Sequence, residues 1–210
     1  MSADPSQIRS LVVDDHPLLR QGIARLVADQ SDMSLVAEAS NGREAILQFR
    51  AHRPDVTLMD LQMPEMNGLD AIVAIRGEFP EARIIMLTTY DGDVQVLRAL
   101  KAGARAYLLK NLLRKELLET IRAVHAGKKT LSPEVSYQLA EHATDDALTP
   151  AEIAVLRLIA AGNANKHIAD QLSITEETVK GRVKNILSKL GANDRTHAAM
   201  IGLKRGIIEF

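Results

Sequence analysis

The strongest constraint on the fold is an alternation, within the first 126 residues, between short apolar runs and longer amphipathic stretches. The apolar runs lie at residues 11–13, 35–37, 56–59, 84–87 and 106–109. Between them, apolar residues recur at spacings of three and four, and each interval is long enough for a crossover helix. Such alternation is typical of a parallel sheet covered by helices on both faces. The pattern therefore predicts a doubly wound, five-stranded (βα)5 α/β domain over residues 1–126.

A change of pattern marks the end of this domain. Gly127 begins a polar stretch that interrupts the last amphipathic segment, and residues 143–147 form a polar joint. A short helix is expected between them, over residues 132–142. We therefore interpret residues 127–147 as a partly helical linker.

Beyond the linker the apolar period is helical throughout, which predicts a small all-α domain over residues 148–210. Thr149, Pro150 and Glu152 have the spacing of a capping box with proline at the first helical position. Thr175 and Asp194 are suited to open two further helices. Four short helices are expected, and the middle pair is a candidate helix-turn-helix.

Composition excludes several function classes. The chain has no cysteine, so disulfides, thiolate metal sites and cysteine nucleophiles are absent. Aromatic residues make up 3% of the chain, which argues against stacking platforms for single-stranded nucleic acid. No apolar run approaches the ~18–20 residues of a membrane span, and the N-terminus lacks the pattern of a signal peptide. We therefore expect a cytoplasmic protein without membrane contact.

The formal net charge of −1 conceals a basic segment near the C-terminus. Between residues 178 and 205, seven Lys and Arg side chains stand against the single acidic residue Asp194. A local positive face attracts polyanions, and nucleic acid is the first candidate. A solvated helix face explains the charge alone equally well.

Polar residues follow four of the apolar runs at the point where each predicted strand ends. They are Asp14 and Asp15, then Asp60, Thr88 and Lys110. Because the carboxyl ends of parallel strands share one edge of the sheet, these side chains are expected to converge. Oxygen ligands without His or Cys favour a hard ion such as Mg²⁺. The set therefore predicts a magnesium site at which the central Asp60 is the nucleophile for a phosphoryl group and Thr88 and Lys110 bind its oxygens.

Each of these residues also has an ordinary structural interpretation when taken alone. Asp14 and Asp15 can cap a helix, Thr88 can be a strand-end hydroxyl, and Lys110 can be a surface lysine. Their joint occurrence at four strand ends favours the functional interpretation.

At these motifs the chain resembles the receiver domain of bacterial two-component response regulators over roughly residues 7–126. The matching segments are residues 12–17, 59–68, 87–89 and 107–110. The resemblance implies a doubly wound fold with flavodoxin-like strand order. It also implies that Asp60 accepts a phosphoryl group from a sensor histidine kinase, with Mg²⁺ as cofactor.

The resemblance carries residue roles onto this sequence. It implies that Asp15, Asp60 and the backbone carbonyl of Gln62 hold Mg²⁺, with Asp14 assisting through a water molecule. It also implies that Tyr107 is the aromatic switch residue that turns inward when Thr88 moves.

One position departs from the family pattern. Asn111 follows Lys110, where family members usually have Asp or Pro. This difference concerns the conformation of the following loop rather than the phosphoryl chemistry.

In the third helix of the C-terminal domain, an apolar stripe between Val179 and Leu190 predicts the core-facing side. Lys180 and Lys184 lie on the adjacent face, with the small Gly181 between them. Such a face fits the DNA major groove, where Lys can read guanine O6 and N7.

Arg182 and Lys189 lie on the other flank of this helix, as phosphate contacts would. Residues 148–169, 177–180 and 189–191 resemble the LuxR-type helix-turn-helix, and the whole chain is similar to the NarL/FixJ class of response regulators. That resemblance makes Lys180, Gly181 and Lys184 base-facing and Thr178 a phosphate contact. It also makes the fourth helix the dimerisation element.

The expected function is phosphorylation-controlled transcription regulation. Phosphorylation of Asp60 would shift the protein toward a homodimer that binds a pseudo-palindrome in double-stranded DNA. One alternative is a DNA-binding regulator whose receiver is not controlled by phosphate. Another is a Mg²⁺-dependent phosphohydrolase, although the sequence offers no motif for a second substrate.

Overall fold

The structure is a computed structural model, and it describes residues 7–89, 93–131, 135–137 and 147–208. The described residues form two compact units. The first contains residues 7–89, 96–131 and 135–136, and the second contains residues 93–95 together with residues 137 and 147–208.

The first unit is a parallel sheet with helices on both faces. Its strands are β1 (Ile8–Val13), β2 (Met33–Ala39), β3 (Val56–Asp60), β4 (Ile84–Thr88), β5 (Ala106–Leu109) and β6 (Thr130–Leu131). Its helices are α1 (Pro17–Ala28), α2 (Gly42–His52), α3 (Gly68–Glu78), α4 (Asp93–Ala102) from residue 96 onward, and α5 (Leu113–His125), with a short 3-10 helix over Lys110–Leu112.

The strand order is β2-β1-β3-β4-β5-β6, and every pairing is parallel. The first five strands confirm the predicted doubly wound fold and its flavodoxin-like order. Every residue of β3, β4 and β5 is buried, because helices cover both faces of these strands. This burial explains why the sequence shows continuous apolar runs there.

The predicted number of strands is too low for the described part of the chain. β6 lies in the segment interpreted as linker, and it pairs with β5 so that Ala106 faces Thr130 and Tyr107 faces Leu131. The backbone amide of Thr130 also donates a hydrogen bond to the carbonyl of Arg105 at 3.0 Å. These bonds occupy the outer edge of β5, so the described residues form a sheet of six strands. Of the helix expected over residues 132–142, only 135–137 are described, and they are helical.

The described part of the second unit contains the four helices predicted for it. They are α6 (Pro150–Ala160), α7 (Asn165–Leu172), α8 (Glu176–Leu190) and α9 (Arg195–Lys204). Their apolar faces form one core that includes Val155, Ile168, Val179 and Ala198.

The predicted helix starts of this unit are confirmed. The hydroxyl of Thr149 accepts a hydrogen bond from the backbone amide of Glu152, and the Glu152 carboxylate accepts one from the backbone amide of Thr149. The side chains of Thr175 and Asp194 cap α8 and α9 in the same way, by accepting from backbone amides three residues further on. No described helix of the protein has the length and apolarity required to span a lipid bilayer.

Candidate functional site

The carboxyl edge of the sheet brings together the polar residues that the strand ends predicted. Asp14 follows β1, Asp60 is the last residue of β3, and Lys110 follows β5. Lys110 Nζ lies 2.8 Å from Asp14 Oδ2 and 2.8 Å from Asp60 Oδ2. The lysine therefore joins two carboxylates that come from different strands.

This site combines buried and accessible groups. Asp14 and Asp60 are 0% and 3% exposed, and Thr88 at the end of β4 is 1% exposed. Asp15 is half-buried at the rim of the site. The site thus has a buried acidic floor, formed by Asp14 and Asp60, with the partly exposed carboxylate of Asp15 at its edge.

Four possible metal-ligating side chains converge at this site. One ligand atom from each of Asp14, Asp15, His16 and Asp60 lies within 4.8 Å of the other three. The three carboxylates were expected here, whereas His16 was not. His16 Nδ1 is 2.7 Å from Asp15 Oδ1 and 3.2 Å from Asp14 Oδ1. The adjacency of His16 to the acidic pair was the only sequence signal for this placement.

Burial and the lysine act in opposite directions on the Asp60 carboxyl. Burial raises the pKa of Asp60 above its usual value and outweighs the hydrogen bond from Lys110, which lowers it. The backbone amide of Gln62 also donates to Asp60 and lowers its pKa. For Lys110, burial acts to lower the pKa, but the bonds to Asp14 and Asp60 dominate and raise it. Lys110 is therefore firmly cationic.

The donor set fits a hard divalent cation. Asp15 Oδ1 is buried and accepts no hydrogen bond, although His16 Nδ1 is near it. An unsatisfied buried carboxylate oxygen beside two further carboxylates is costly without a cation, and oxygen ligands suit Mg²⁺. Gln62, whose carbonyl was expected to be a ligand, lines the same cleft.

The acidic floor opens into a cleft of about 460 Å³. Its lining includes Asp15, Asp60, Gln62, Thr89 and Lys110. Asp60 therefore lines an open cleft at the carboxyl edge of the sheet.

Close backbone packing fixes the loop that follows Asp60. A Cβ atom on Gly68 would lie 2.0 Å from the backbone oxygen of Asp60, so only glycine fits there. The Gly68 amide donates to the carbonyl of Leu61 at 2.9 Å, and Glu65 in the same loop has a φ of +63°. The first turn of α3 therefore packs directly against the backbone of Asp60.

Arg20 on α1 holds the loop after β1. Its Nη1 donates to the backbone carbonyl of Asp14 at 2.5 Å, and its Nε lies 3.4 Å from Glu38 Oε2 on β2. Sequence reasoning did not single out Arg20, because nothing in the local pattern shows which carbonyl its side chain reaches.

Tyr107 lies in the middle of this sheet region, on β5. It is 1% exposed and pairs with Met86 of β4 and Leu131 of β6. The predicted switch residue is thus in a buried position in this structure.

The second unit presents an exposed polar face on α8. Thr178, Lys180, Gly181 and Lys184 are exposed, whereas Val179 on the opposite side is fully buried. This arrangement agrees with the base-facing set expected from the sequence. Arg182 is partly exposed on the flank of the helix.

Lys189 has a different environment from the other basic residues of α8. Its Nζ lies 2.9 Å from Glu152 Oε2 and donates to the backbone carbonyl of Ala147 at 3.3 Å. The ammonium group is thus engaged by contacts within the helical domain. This placement does not favour the phosphate contact expected for Lys189.

Two family models match the chain. The response regulator receiver domain matches residues 10–122, and the luxR family of bacterial regulatory proteins matches residues 146–201. The response regulator protein VraR of Staphylococcus aureus strain Mu3 is 38% identical over 207 residues, which cover 96% of this chain and 99% of VraR.

Solved structures of response regulators are also similar to this chain. A LuxR-family response regulator from Aurantimonas sp. SI85-9A1 is 36% identical with a TM-score of 0.64, and the match covers 67% of this chain and all of that one. RcsB from Salmonella enterica serovar Typhimurium, solved bound to the promoter P1flhDC with the phosphomimetic BeF3−, is 27% identical. Its TM-score is 0.74, with 93% of this chain and 97% of that chain covered.

These matches agree with the geometry of both units, and nearly the full length of the relatives is covered. The chain belongs to the response regulators of the NarL/FixJ class, in which a receiver domain controls a LuxR-type DNA-binding domain.

Proposed function

We propose that Asp60 accepts the phosphoryl group of a phosphohistidine on a sensor kinase. The observation that carries this proposal is the convergence of Asp60 with Lys110 and the acidic floor at an open cleft. A carboxylate oxygen of Asp60 forms the new bond to phosphorus while the phosphorus–nitrogen bond breaks. The electron pair of that bond stays on the histidine nitrogen, which takes a proton as it leaves.

Lys110 and Thr88 have complementary parts in this step. The Lys110 ammonium lies 2.8 Å from the Asp60 carboxylate, so it is placed to bind an oxygen of the incoming phosphoryl group. The Thr88 hydroxyl binds another oxygen, and its displacement toward the phosphoryl group favours the buried position that Tyr107 already has in this structure. This coupling links the chemistry at Asp60 to the side chain of Tyr107 on β5.

Mg²⁺ would be held by Asp15, Asp60 and the backbone carbonyl of Gln62, with Asp14 assisting through water. When bound, the ion neutralises charge on the phosphoryl oxygens. Asp14, whose Oδ1 accepts from the backbone amide of His16 at 2.8 Å, keeps the loop of the acidic pair in place.

We further propose how the domains are arranged along the sequence and what each of them does. Residues 1–126 form the receiver, 127–147 a linker whose strand β6 extends the receiver sheet, and 148–210 the DNA-binding domain. In the last, α8 enters the major groove of double-stranded DNA, and α9 forms the contact between the two copies of a homodimer.

The proposed DNA contacts follow the exposed face of α8. Lys180, Gly181 and Lys184 face the bases, while Thr178 and Arg182 contact phosphates. Lys189 is left out of this set because Glu152 holds its ammonium group. The DNA complexes solved for RcsB support this assignment by similarity of fold.

The test is transfer of one phosphoryl group to the purified protein. Treatment with Mg²⁺ and acetyl phosphate is expected to add one phosphoryl group by intact mass, located at Asp60 by peptide mapping. Asp60→Asn should abolish the addition, whereas the matched variant Asp29→Asn, at an exposed carboxylate outside the site, should not. Full phosphorylation of Asp60→Asn would refute the assignment. Release of phosphate over many turnovers from a phosphomonoester would instead favour the phosphohydrolase.

A further inference from the structure

The exposed face of α8 carries a negative charge as well as positive ones. Glu177 lies three, four and seven residues before Lys180, Gly181 and Lys184, which is the spacing of one helix face. The side chain of Glu177 is 88% exposed, and that of Lys180 is 55% exposed. The face expected to read bases thus has a carboxylate at its N-terminal end.

Ion pairs connect this carboxylate to the neighbouring lysine. Lys180 Nζ lies 3.8 Å from Glu177 Oε2 and 3.9 Å from Glu176 Oε1. Pairs of this length between exposed groups are weak, so both partners are available to a ligand. A Cβ atom on Gly181 would meet no other atom within 4 Å, so this position leaves the base edges accessible.

Stabilisation of the helix N-terminus does not explain why the acid is at position 177. The first turn of α8 contains both Glu176 and Glu177, and Thr175 caps it. Glu176, whose side chain is 51% exposed, is three residues from the buried Val179 and four from Lys180, so it lies between the core-facing stripe and the lysine. Either acid suits the helix dipole, but only Glu177 lies on the face of Gly181 and Lys184.

A carboxylate in the major groove repels the phosphates, so it is tolerated best where a base offers it a hydrogen-bond donor. Cytosine presents its N4 amine there without a neighbouring acceptor on the same base. Adenine places its N7 acceptor beside the N6 amine, and guanine and thymine present acceptors. A carboxylate on this face therefore selects cytosine.

We propose that Glu177 is a base-reading residue that specifies a cytosine in each half-site, next to the guanine read by Lys180. The proposal rests on the DNA-binding function proposed above. It adds to each half-site one C·G base pair whose identity is selected by Glu177 and not by the lysines of α8.

The experiment is selection of bound DNA from a random-sequence pool by the full-length protein treated with Mg²⁺ and acetyl phosphate. Wild type, Glu177→Ala, Glu177→Gln and the matched control Glu176→Gln are compared position by position. Melting temperatures equal to that of wild type confirm that the variants remain folded.

In Glu177→Ala, the cytosine preference at one position of each half-site should fall by roughly tenfold, while the guanine positions persist. Glu177→Gln should change that preference to adenine, because an amide can pair with both N6 and N7. Glu176→Gln should keep the wild-type motif. An unchanged motif in both Glu177 variants, or the same change in Glu176→Gln, would overturn the proposal. Failure of the wild type to enrich any motif would overturn the DNA-binding proposal as well.

Discussion

Replacing Glu152 by alanine is expected to destabilise the DNA-binding domain more than any exposed charge substitution in it. The side chain of Glu152 is 6% exposed, and it accepts hydrogen bonds from the backbone amide of Thr149 at 2.8 Å and its hydroxyl at 3.0 Å. It also holds Lys189 Nζ at 2.9 Å. One carboxylate thus joins the start of α6 to the end of α8.

The expected magnitude follows from these three contacts. Loss of a capping interaction costs about 1 kcal/mol. Removing one partner of a buried ion pair costs about 3–5 kcal/mol, but the Lys189 side chain is 24% exposed and regains water, which reduces this cost. We expect a loss of about 2–4 kcal/mol in the free energy of unfolding of this domain.

Native-state hydrogen exchange of the full chain measures this loss directly, because amides of α6 and α8 report on their own domain. Glu152→Ala should lower their protection while amides of the receiver sheet remain unchanged. Glu176→Ala is the matched control, since its pair with Lys180 is exposed and 3.9 Å long. A double-mutant cycle with Lys189→Ala should show a coupling of at least ~0.5 kcal/mol. Additive effects, or a loss under ~0.5 kcal/mol for Glu152→Ala, would refute the reasoning.

The contacts of Glu152 with Thr149 and Lys189 also predict that the stability of the DNA-binding domain depends on pH. Burial acts to raise the pKa of Glu152, but the hydrogen bonds from Thr149 and Lys189 outweigh it, so the pKa is lowered. A group with a lowered folded-state pKa stabilises the fold above its unfolded pKa, and this contribution is lost as the pH falls through the folded value. Protection of α6 should therefore decrease in the wild type as the pH falls below the ordinary glutamate range, and less so in Glu152→Gln.

Three further predictions concern the receiver. Gly68→Ala should cost about 1–3 kcal/mol of unfolding free energy in urea titrations, because the added methyl collides with the Asp60 backbone oxygen; an unchanged midpoint would contradict this. Lys110→Met should slow phosphorylation of Asp60 by acetyl phosphate roughly tenfold or more, and a wild-type rate by intact mass would contradict the role of the lysine. The hydrogen bond from Arg122 lowers the pKa of Asp32. Asp32→Asn should therefore lower the free energy of unfolding at pH values above the ordinary pKa range of aspartate, and change it little in stronger acid. A loss of the same size at all pH values would contradict this prediction.

The sequence predicted positions best where they follow from a regular element, such as the end of a strand or the start of a helix. Asp14, Asp60, Thr88 and Lys110 could be predicted to converge because parallel strands have a common carboxyl edge. The caps of α6, α8 and α9 could be predicted because their hydrogen bonds span only three residues.

What sequence reasoning missed depends on contacts between distant segments. β6 has only two residues, too few to show the alternation of apolar and polar residues that marks a strand. It forms because the edge of β5 offers backbone groups with which it can pair. The partner of Lys189 is 37 residues away, so helical spacing placed the lysine on a flank without showing its ion pair. The need for glycine at position 68 arises from the path of the Asp60 backbone, which only the folded loop reveals.

The central claim is that phosphorylation of Asp60 controls DNA binding. The most direct measurement is binding of one selected operator by untreated protein, by protein treated with Mg²⁺ and BeF3−, and by treated Asp60→Asn. Specific binding is predicted to increase at least tenfold in the treated wild type and to stay at the untreated level in Asp60→Asn, a coupling of ~1.4 kcal/mol or more. Equal operator affinity in all three samples would contradict the account.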